Sequence, residues 1–183
     1  MKNTNLQSIK NQVSLPDNLH NILIGIMLGD GSIYRSSATS NCRFEMSFGT
    51  NYKQFAESIG ILFKEYIKDG IKELKIKGKD KVYINYRLKS LTLPLFNKYH
   101  AMFYQLNTET GKYVKIVPLD ILNLMNPVVL AYLIMTDGNF DKNRNRIRIY
   151  TNCYSKDSVE KLANSINANL DIYVGVLHDR NNQ

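Results

Sequence analysis

Cysteine is scarce in this sequence, and its scarcity argues against two kinds of stabilised fold. Cys42 and Cys153 are the only cysteines, and neither lies in a CxxC pair or beside a histidine. Zinc sites and disulfide frameworks depend on such residues at short, regular spacings, so neither is expected here. Two reduced cysteines in an intracellular protein are the favoured interpretation.

Long apolar runs are also missing. No run approaches the roughly 20 residues that a membrane-spanning helix needs. The opening segment, MKNTNLQSIKNQ, lacks the apolar stretch of a secretory signal and the arginines of a convincing organellar transit peptide. The sequence therefore predicts a protein without a membrane segment.

Acidic residues are outnumbered by basic ones. The 24 Lys and Arg against 16 Asp and Glu give a formal net charge of +8. This balance is typical of proteins that bind a polyanion, nucleic acid first, although many basic proteins bind none. The length of 183 residues and the apolar share of 44% suit one globular domain, or two small packed halves.

Two apolar segments end in the same way, at an aspartate followed by a glycine. The first is LIGIMLGDG (residues 23–31) and the second is LAYLIMTDG (residues 130–138). Aspartate is unfavourable at the C-terminal end of a helix, because the exposed carbonyls there carry partial negative charge. Two such placements in a basic chain indicate a bound cation, although an Asp-Gly turn after a buried helix would explain either copy alone.

The elements around the two motifs repeat in the same order. Apolar and polar periodicity predicts, in the first copy, a motif helix, a hairpin, a helix, a second hairpin and a helix. The second copy repeats a helix, a hairpin and a helix, and a strand over residues 170–177 follows. We therefore divide the chain into a loose N-terminal arm (1–16), a first half (17–104), a linker with a short helical turn (105–126) and a shortened second half (127–183).

The motif helices predict a metal site. Gly25 and Gly29 lie four residues apart on one helix face, where small residues allow two helix backbones to approach closely. If the two motif helices pack side by side, Asp30 and Asp137 emerge together at one end. Two adjacent carboxylates repel each other unless a divalent cation neutralises them, and Mg²⁺ suits hard oxygen ligands.

The paired motifs resemble those of LAGLIDADG homing endonucleases of the single-chain, two-motif type found in organellar introns. The resemblance covers residues 19–177 and implies an α+β fold of two pseudo-symmetric αββαββα halves. The halves would be joined through the packed motif helices and would carry an antiparallel β saddle for DNA, with the second half incomplete at its C-terminus.

The resemblance also implies roles for individual residues. Asp30 and Asp137 would be the metal-binding catalytic acids, one for each DNA strand, with the carbonyls of Gly29 and Thr136 beside the Mg²⁺ ions. Lys115, in a Lys-x-x-Pro segment, is the candidate lysine near a scissile phosphate. A solvated surface lysine is the alternative for that position.

DNA would lie on the polar faces of the strands, as β-ribbons in the major groove. Asn152, late in a predicted second strand, fits the position that orders water beside the DNA. Each basic side chain could equally belong to a solvated strand face. The candidate basic residues are Arg35, Arg43, Lys75, Lys77, Lys81, Arg87, Arg146 and Arg148.

The function that the resemblance implies is site-specific cleavage of double-stranded DNA in intron homing, by a monomer that uses Mg²⁺. A non-catalytic nucleic-acid binder is the alternative, such as a maturase that acts on group I intron RNA. An inactive endonuclease fragment is another, because the second half stops short. Family habit points to a mitochondrial or chloroplast gene. The composition, rich in Asn, Ile, Lys and Tyr, whose codons begin with two A or T bases, agrees with it.

Overall fold

The computed structural model describes residues 8–79 and 81–177. They form the α+β fold that the sequence predicts. The helices are α1 (Asp17–Leu28), α2 (Lys53–Leu62), α3 (Asn97–Phe103), α4 (Ile121–Leu124), α5 (Pro127–Asp137) and α6 (Lys156–Leu170). The strands are β1 (Ser32–Arg35), β2 (Cys42–Phe48), β3 (Lys72–Lys77), β4 (Val82–Lys89), β5 (Tyr104–Asn107), β6 (Lys112–Lys115), β7 (Gly138–Asp141) and β8 (Arg146–Ile149). Among the described helices, none is long and apolar enough to cross a membrane.

The chain forms two compact units. One contains Met1–Leu19 and Gly31–His100, and the other contains His20–Asp30 and Ala101–Gln183. These units differ from the division by internal repeat, since most of α1 groups with the later part of the chain. The repeat-based halves remain a prediction.

The first unit is built on a four-stranded antiparallel sheet in the order β1-β2-β4-β3. One face of β2 places Phe44, Met46 and Phe48 in the core, where the segments after α2 and before α3 add Phe63 and Phe96. Each such side chain contributes roughly 1.5–3 kcal/mol through burial. The core therefore fixes which face of this sheet points to solvent.

The segment at residues 8–16 is more ordered than the loose arm that its polar sequence predicts. Ile9 and Leu15 are buried, and the Tyr66 hydroxyl donates a hydrogen bond to the Gln12 side chain at 2.8 Å. Two apolar side chains were enough to dock this segment. The remaining part of the arm, residues 1–7, lies outside the described residues.

In the second unit, α1 and α5 are the buried helices and two hairpins, β5-β6 and β7-β8, are the strands. Asn126 caps α5, because its side-chain oxygen accepts hydrogen bonds from the backbone nitrogens of Val128 and Val129. Ser155 caps α6 in the same way, from Ser158. Asparagine and serine are among the residues preferred at this position of a helix.

The stretch predicted as a linker contains a hairpin as well as a helical turn. The turn is α4, whereas β5 and β6 pair around a tight reversal at Gly111, whose φ of +65° favours glycine. The Asn107 side chain stabilises this reversal by accepting hydrogen bonds from two backbone nitrogens within it. The hairpin was missed because each strand has only four residues, too few to show clear alternation.

The strand predicted over residues 170–177 does not form. Helix α6 continues through Leu170, Asp171 adopts a left-handed conformation with φ of 53°, and residues 171–177 have no regular structure. The Asn167 side chain holds Val174 by hydrogen bonds instead of a neighbouring strand. In the described part of the second copy, β7 and β8 are therefore the paired strands.

Candidate active site

The motif helices α1 and α5 pack with their backbones in close approach, and glycine makes this possible. A Cβ added to Gly25 would lie 2.5 Å from the Val129 carbonyl oxygen and 2.7 Å from the Tyr132 Cβ. A Cβ on Gly29 would lie 2.0 Å from the Thr136 hydroxyl oxygen. Any larger residue would force the helices apart, as the small-residue pattern predicts.

This close approach brings Asp30 and Asp137 together. Asp30 follows the end of α1 and Asp137 is the last residue of α5, and their carboxyl groups are within hydrogen-bonding reach. Burial, the largest cause, and the negative charge of Asp30 together raise the pKa of Asp137 to about 6, although Lys115 opposes the shift. Without a cation, Asp137 therefore keeps its proton to a higher pH than an ordinary aspartate does.

The chemistry of these donors fits a divalent cation. Two adjacent carboxylates supply negative charge that a cation would neutralise. Among residues 8–79 and 81–177, no group of three or more His, Cys, Asp or Glu side chains is placed to hold a metal ion. Further ligands would have to be backbone carbonyls, water or phosphate, which is the usual manner of Mg²⁺ binding.

Lys115, at the end of β6, reaches this pair of acids. Its ammonium nitrogen donates a hydrogen bond to the Gly29 carbonyl oxygen at 2.5 Å. Burial lowers the pKa of Lys115, and the nearby Cys153, Asp137 and Asp30 oppose that effect. The structure thus brings the sequence-predicted lysine to the site.

The Thr136 hydroxyl is used within its own helix and is not directed at the two acids. The hydroxyl group donates within α5, 2.9 Å from the Leu133 carbonyl and 3.1 Å from that of Tyr132. The side chain therefore packs on Gly29 with its polar atom satisfied.

Tyr154 is a residue of this site that sequence reasoning missed. It is buried, and its hydroxyl donates a hydrogen bond to the Leu28 carbonyl oxygen at 2.9 Å, at the end of α1. Burial raises the pKa of Tyr154, so the group remains a neutral donor. Nothing local in the sequence distinguishes this tyrosine from the eleven others.

The candidate DNA-contacting residues of the first unit do not share one face of the sheet. Paired residues of antiparallel strands lie on the same face, and Arg87 pairs with Ser47, beside Arg43 along β2. Lys75 and Lys77 pair with Ile84 and Val82, on the opposite face. In this register, Lys75 and Lys77 therefore do not share a face with Arg43 and Arg87.

Two further basic residues of this unit lie at turns. The Arg35 guanidinium donates to the carbonyls of Ser40 and Ala38 at 3.0 and 2.5 Å, so it closes the turn between β1 and β2. Lys81 is exposed just before β4, and its carbonyl accepts a hydrogen bond from the Gly78 nitrogen at 2.8 Å.

In the second unit, Arg146 and Arg148 share a face of the β7-β8 hairpin, as their alternation predicts. They pair with Asp141 and Asn139, and both arginines form ion pairs with Asp141 at 3.6 and 3.8 Å. Among the described residues, their Nε atoms are buried without a hydrogen-bond partner. Asn152 is exposed in the turn after β8, not within the strand.

Comparison with known proteins agrees with this architecture. The sequence profile described as the LAGLIDADG DNA endonuclease family matches residues 20–183. The chain is 27% identical over 167 residues to the cytochrome b mRNA maturase bI2 of Saccharomyces cerevisiae, covering 87% of this chain and 38% of the maturase. It is 24% identical over 166 residues to the DNA endonuclease I-ChuI of Chlamydomonas applanata, covering 84% of this chain and 73% of that protein.

Two solved structures share the fold. The homing endonuclease I-WcaI, bound to its DNA recognition sequence, superposes with a TM-score of 0.83 at 23% identity, over 97% of this chain and 78% of that one. I-DmoI in complex with DNA and Mn gives a TM-score of 0.50 at 19% identity, over 90% and 84%. With the profile match over most of its length, the chain belongs to the LAGLIDADG DNA endonuclease family.

Proposed function

We propose that this protein is a site-specific endonuclease that hydrolyses both strands of a double-stranded DNA target with Mg²⁺, in intron homing. One observation carries the proposal: the carboxyl groups of Asp30 and Asp137 meet at the ends of two helices packed through glycine. Both helix dipoles disfavour negative charge at this position, and the two carboxylates also repel each other. A bound divalent cation offsets both effects. Membership of a family of DNA endonucleases supports the same conclusion.

Asp30 and Asp137 hold the metal in this proposal, each serving one DNA strand, with the carbonyls of Gly29 and Thr136 beside it. A bound divalent cation supplies Lewis-acid chemistry, which activates water and neutralises charge on the phosphate. The carboxylates bind and orient that charge. Backbone contact between α1 and α5 keeps them rigidly placed.

Lys115 acts on the phosphate in this proposal. Its ammonium group lies at the same end of the helices and brings positive charge to a site where negative charge accumulates during phosphodiester cleavage. In the absence of DNA, the Lys115 ammonium group donates a hydrogen bond to the Gly29 carbonyl oxygen. The hydrogen bond therefore holds the lysine close to the acids before DNA arrives.

The DNA surface is proposed to centre on two pairs of arginines. Arg43 with Arg87, and Arg146 with Arg148, project from strand faces in the two units, and their guanidinium groups suit phosphates and guanine edges. Four other basic residues and one amide are proposed to contribute at the periphery, namely Arg35, Lys75, Lys77, Lys81 and Asn152.

A second candidate function is that of an intron maturase. Similarity to the yeast maturase over most of this chain favours it. The chain spans 38% of that relative's length, so the activity of the whole relative does not carry over directly. In this case the basic strand faces would bind group I intron RNA, and loss of the paired acids would leave that binding intact.

We further propose that the gene is organellar, in a mitochondrion or chloroplast, and that the protein is a monomer. The composition is skewed to Asn, Ile, Lys and Tyr, whose codons begin with two A or T bases. The similarity to a protein named for cytochrome b mRNA supports the same genomic setting.

Cleavage of intronless organellar DNA, with the ends mapped by sequencing, tests this function. We expect one dominant cut site with Mg²⁺ and none with EDTA. Asp30→Asn and Asp137→Asn should abolish cleavage but preserve DNA binding, whereas Asp157→Asn, at the start of α6, should cleave normally. Absence of any metal-dependent, site-specific cut by the wild-type protein would refute the endonuclease proposal, and specific intron RNA binding would then favour the maturase.

A further inference from the structure

A single carboxylate, Glu45, organises the basic residues on the solvent-facing side of the first unit's sheet. Its two oxygens accept separate hydrogen bonds, from Arg43 Nε at 2.5 Å and from an Arg87 terminal nitrogen at 2.7 Å. The Lys89 ammonium adds an ion pair at 3.6 Å. Glu45 therefore joins side chains of two neighbouring strands, β2 and β4.

Glu45 is ionised and enclosed, while the arginines remain accessible. The Glu45 side chain is 10% exposed, against 27% for Arg43 and 40% for Arg87. Burial alone would raise the pKa of Glu45, but hydrogen bonds from Arg87 and Arg43 outweigh it and lower the pKa. The cluster keeps a net positive charge, because three cations surround one anion.

Arg43 is held on its other side as well. Its guanidinium carbon lies 4.2 Å above the centre of the Tyr34 ring, on the neighbouring strand β1. Stacking and a charge-assisted hydrogen bond together leave this side chain little rotational freedom. The terminal guanidinium nitrogens are the part of Arg43 that stays available for a ligand.

We propose that Glu45 is a specificity-determining positioning residue, which presents Arg43 and Arg87 to DNA as one preformed pair. The inference rests on the proposed DNA-binding function. The carboxylate itself is too enclosed, and its oxygens too fully used, to read bases. It acts through the two arginines.

Preorganisation explains why a DNA-binding surface retains an acid. A free arginine loses rotamer freedom when it binds, whereas one already held by a carboxylate has lost it during folding. Fixed guanidinium groups also discriminate between base edges more sharply than mobile ones. Glu45 thus lowers the affinity for DNA of any sequence but increases the discrimination in favour of one sequence.

Glu45→Gln tests this inference because the affinities for random and target duplexes should respond differently to it. Without the charge, Arg43 and Arg87 become mobile cations, so affinity for a random-sequence duplex should rise and its salt dependence should steepen by about one phosphate contact. Affinity for the target duplex, selected from a randomised library with the wild-type protein, should not rise in step. We expect the ratio of target to random affinity to fall about fivefold to tenfold.

Binding is measured by fluorescence anisotropy in EDTA, so cleavage plays no part. Glu57→Gln is the matched control, since it removes an equal charge from an exposed ion pair on α2 and should keep the wild-type ratio. In an Arg43→Ala, Arg87→Ala background, Glu45→Gln should have no further effect on the ratio. Thermal unfolding of each variant establishes that it is folded, and Glu45→Asp provides a second, charged variant with an intermediate ratio.

Three results would overturn the inference. An unchanged ratio and salt slope in Glu45→Gln would show that Glu45 does not position the arginines, with the DNA-binding function unaffected. An equal loss in the arginine-free background would show that Glu45 acts through other residues. If the wild-type protein enriches no duplex at all, the proposed function and this inference both fail.

Discussion

The ammonium nitrogen of Lys115 donates a hydrogen bond to the Gly29 carbonyl oxygen at 2.5 Å, across 86 residues of sequence. This contact anchors a positive charge beside Asp30 and Asp137, the two acids that end the motif helices. It also satisfies a carbonyl at the end of α1, where helix carbonyls lack intrahelical partners. One lysine thus serves both the fold and the proposed chemistry.

Replacing Lys115 should separate catalysis from binding. We expect Lys115→Met to lower the cleavage rate about 100-fold, because a cation that stabilises developing charge is lost. Binding of the target duplex in EDTA should change little. Lys112→Met, at the exposed start of the same strand, is the control and should cleave at the wild-type rate. Equal cleavage by both variants would remove Lys115 from the mechanism.

The acid pair should make the metal-free protein less stable as the pH rises. Because the pKa of Asp137 is raised to about 6 from 3.8, the folded state binds its proton more tightly than the unfolded state. The stabilisation is fully present below the ordinary pKa and is lost as the pH rises through about 6.

Urea unfolding in EDTA from pH 4 to pH 7 measures this effect as a difference from Asp137→Asn. We expect the wild-type protein to lose up to about 2 kcal/mol of unfolding free energy relative to the variant across that range. Added Mg²⁺ should restore stability to the wild-type protein above pH 6, but not to the variant. Parallel curves for the two proteins would contradict the coupling between Asp30 and Asp137.

The helix contact at Gly25 should be intolerant of even one methyl group. A Cβ there would lie 2.5 Å from the Val129 carbonyl oxygen, so Gly25→Ala should reduce the free energy of unfolding by about 3 kcal/mol. Gly49→Ala is the control, since a Cβ at Gly49 meets nothing within 4 Å and its φ of −70° suits alanine. Chemical denaturation of both variants provides the comparison, and similar stabilities would mean that the helices can separate without cost.

The buried Tyr154 hydroxyl should contribute measurably to the end of α1. We expect Tyr154→Phe to lower the unfolding free energy by about 1–2 kcal/mol, because the Leu28 carbonyl loses a buried donor. Tyr173→Phe, at a position that is 92% exposed, should leave stability unchanged. A thermal unfolding midpoint for Tyr154→Phe equal to that of Tyr173→Phe would show that another group satisfies the carbonyl.

Local patterns predicted most of the elements correctly. Alternation of polar and apolar residues predicted the order of helices and hairpins in the first copy, and the structure contains that order. These features succeed because hydrogen bonding and burial within a short segment decide them. The prediction of a strand over residues 170–177 is wrong, because no neighbouring strand pairs with this segment in the described structure.

The sequence by itself determined the close approach of the motif helices, because the spacing of the glycines and the paired Asp-Gly endings already predict it. Only the tertiary structure decided that Lys115 and Tyr154 contact the end of α1 and that Glu45 joins Arg43 to Arg87. It also decided that Lys75 and Lys77 lie on the opposite face from those arginines. Helix packing follows from residue size, which is local, whereas strand register and long-range contacts follow from how separate segments compete for the same core.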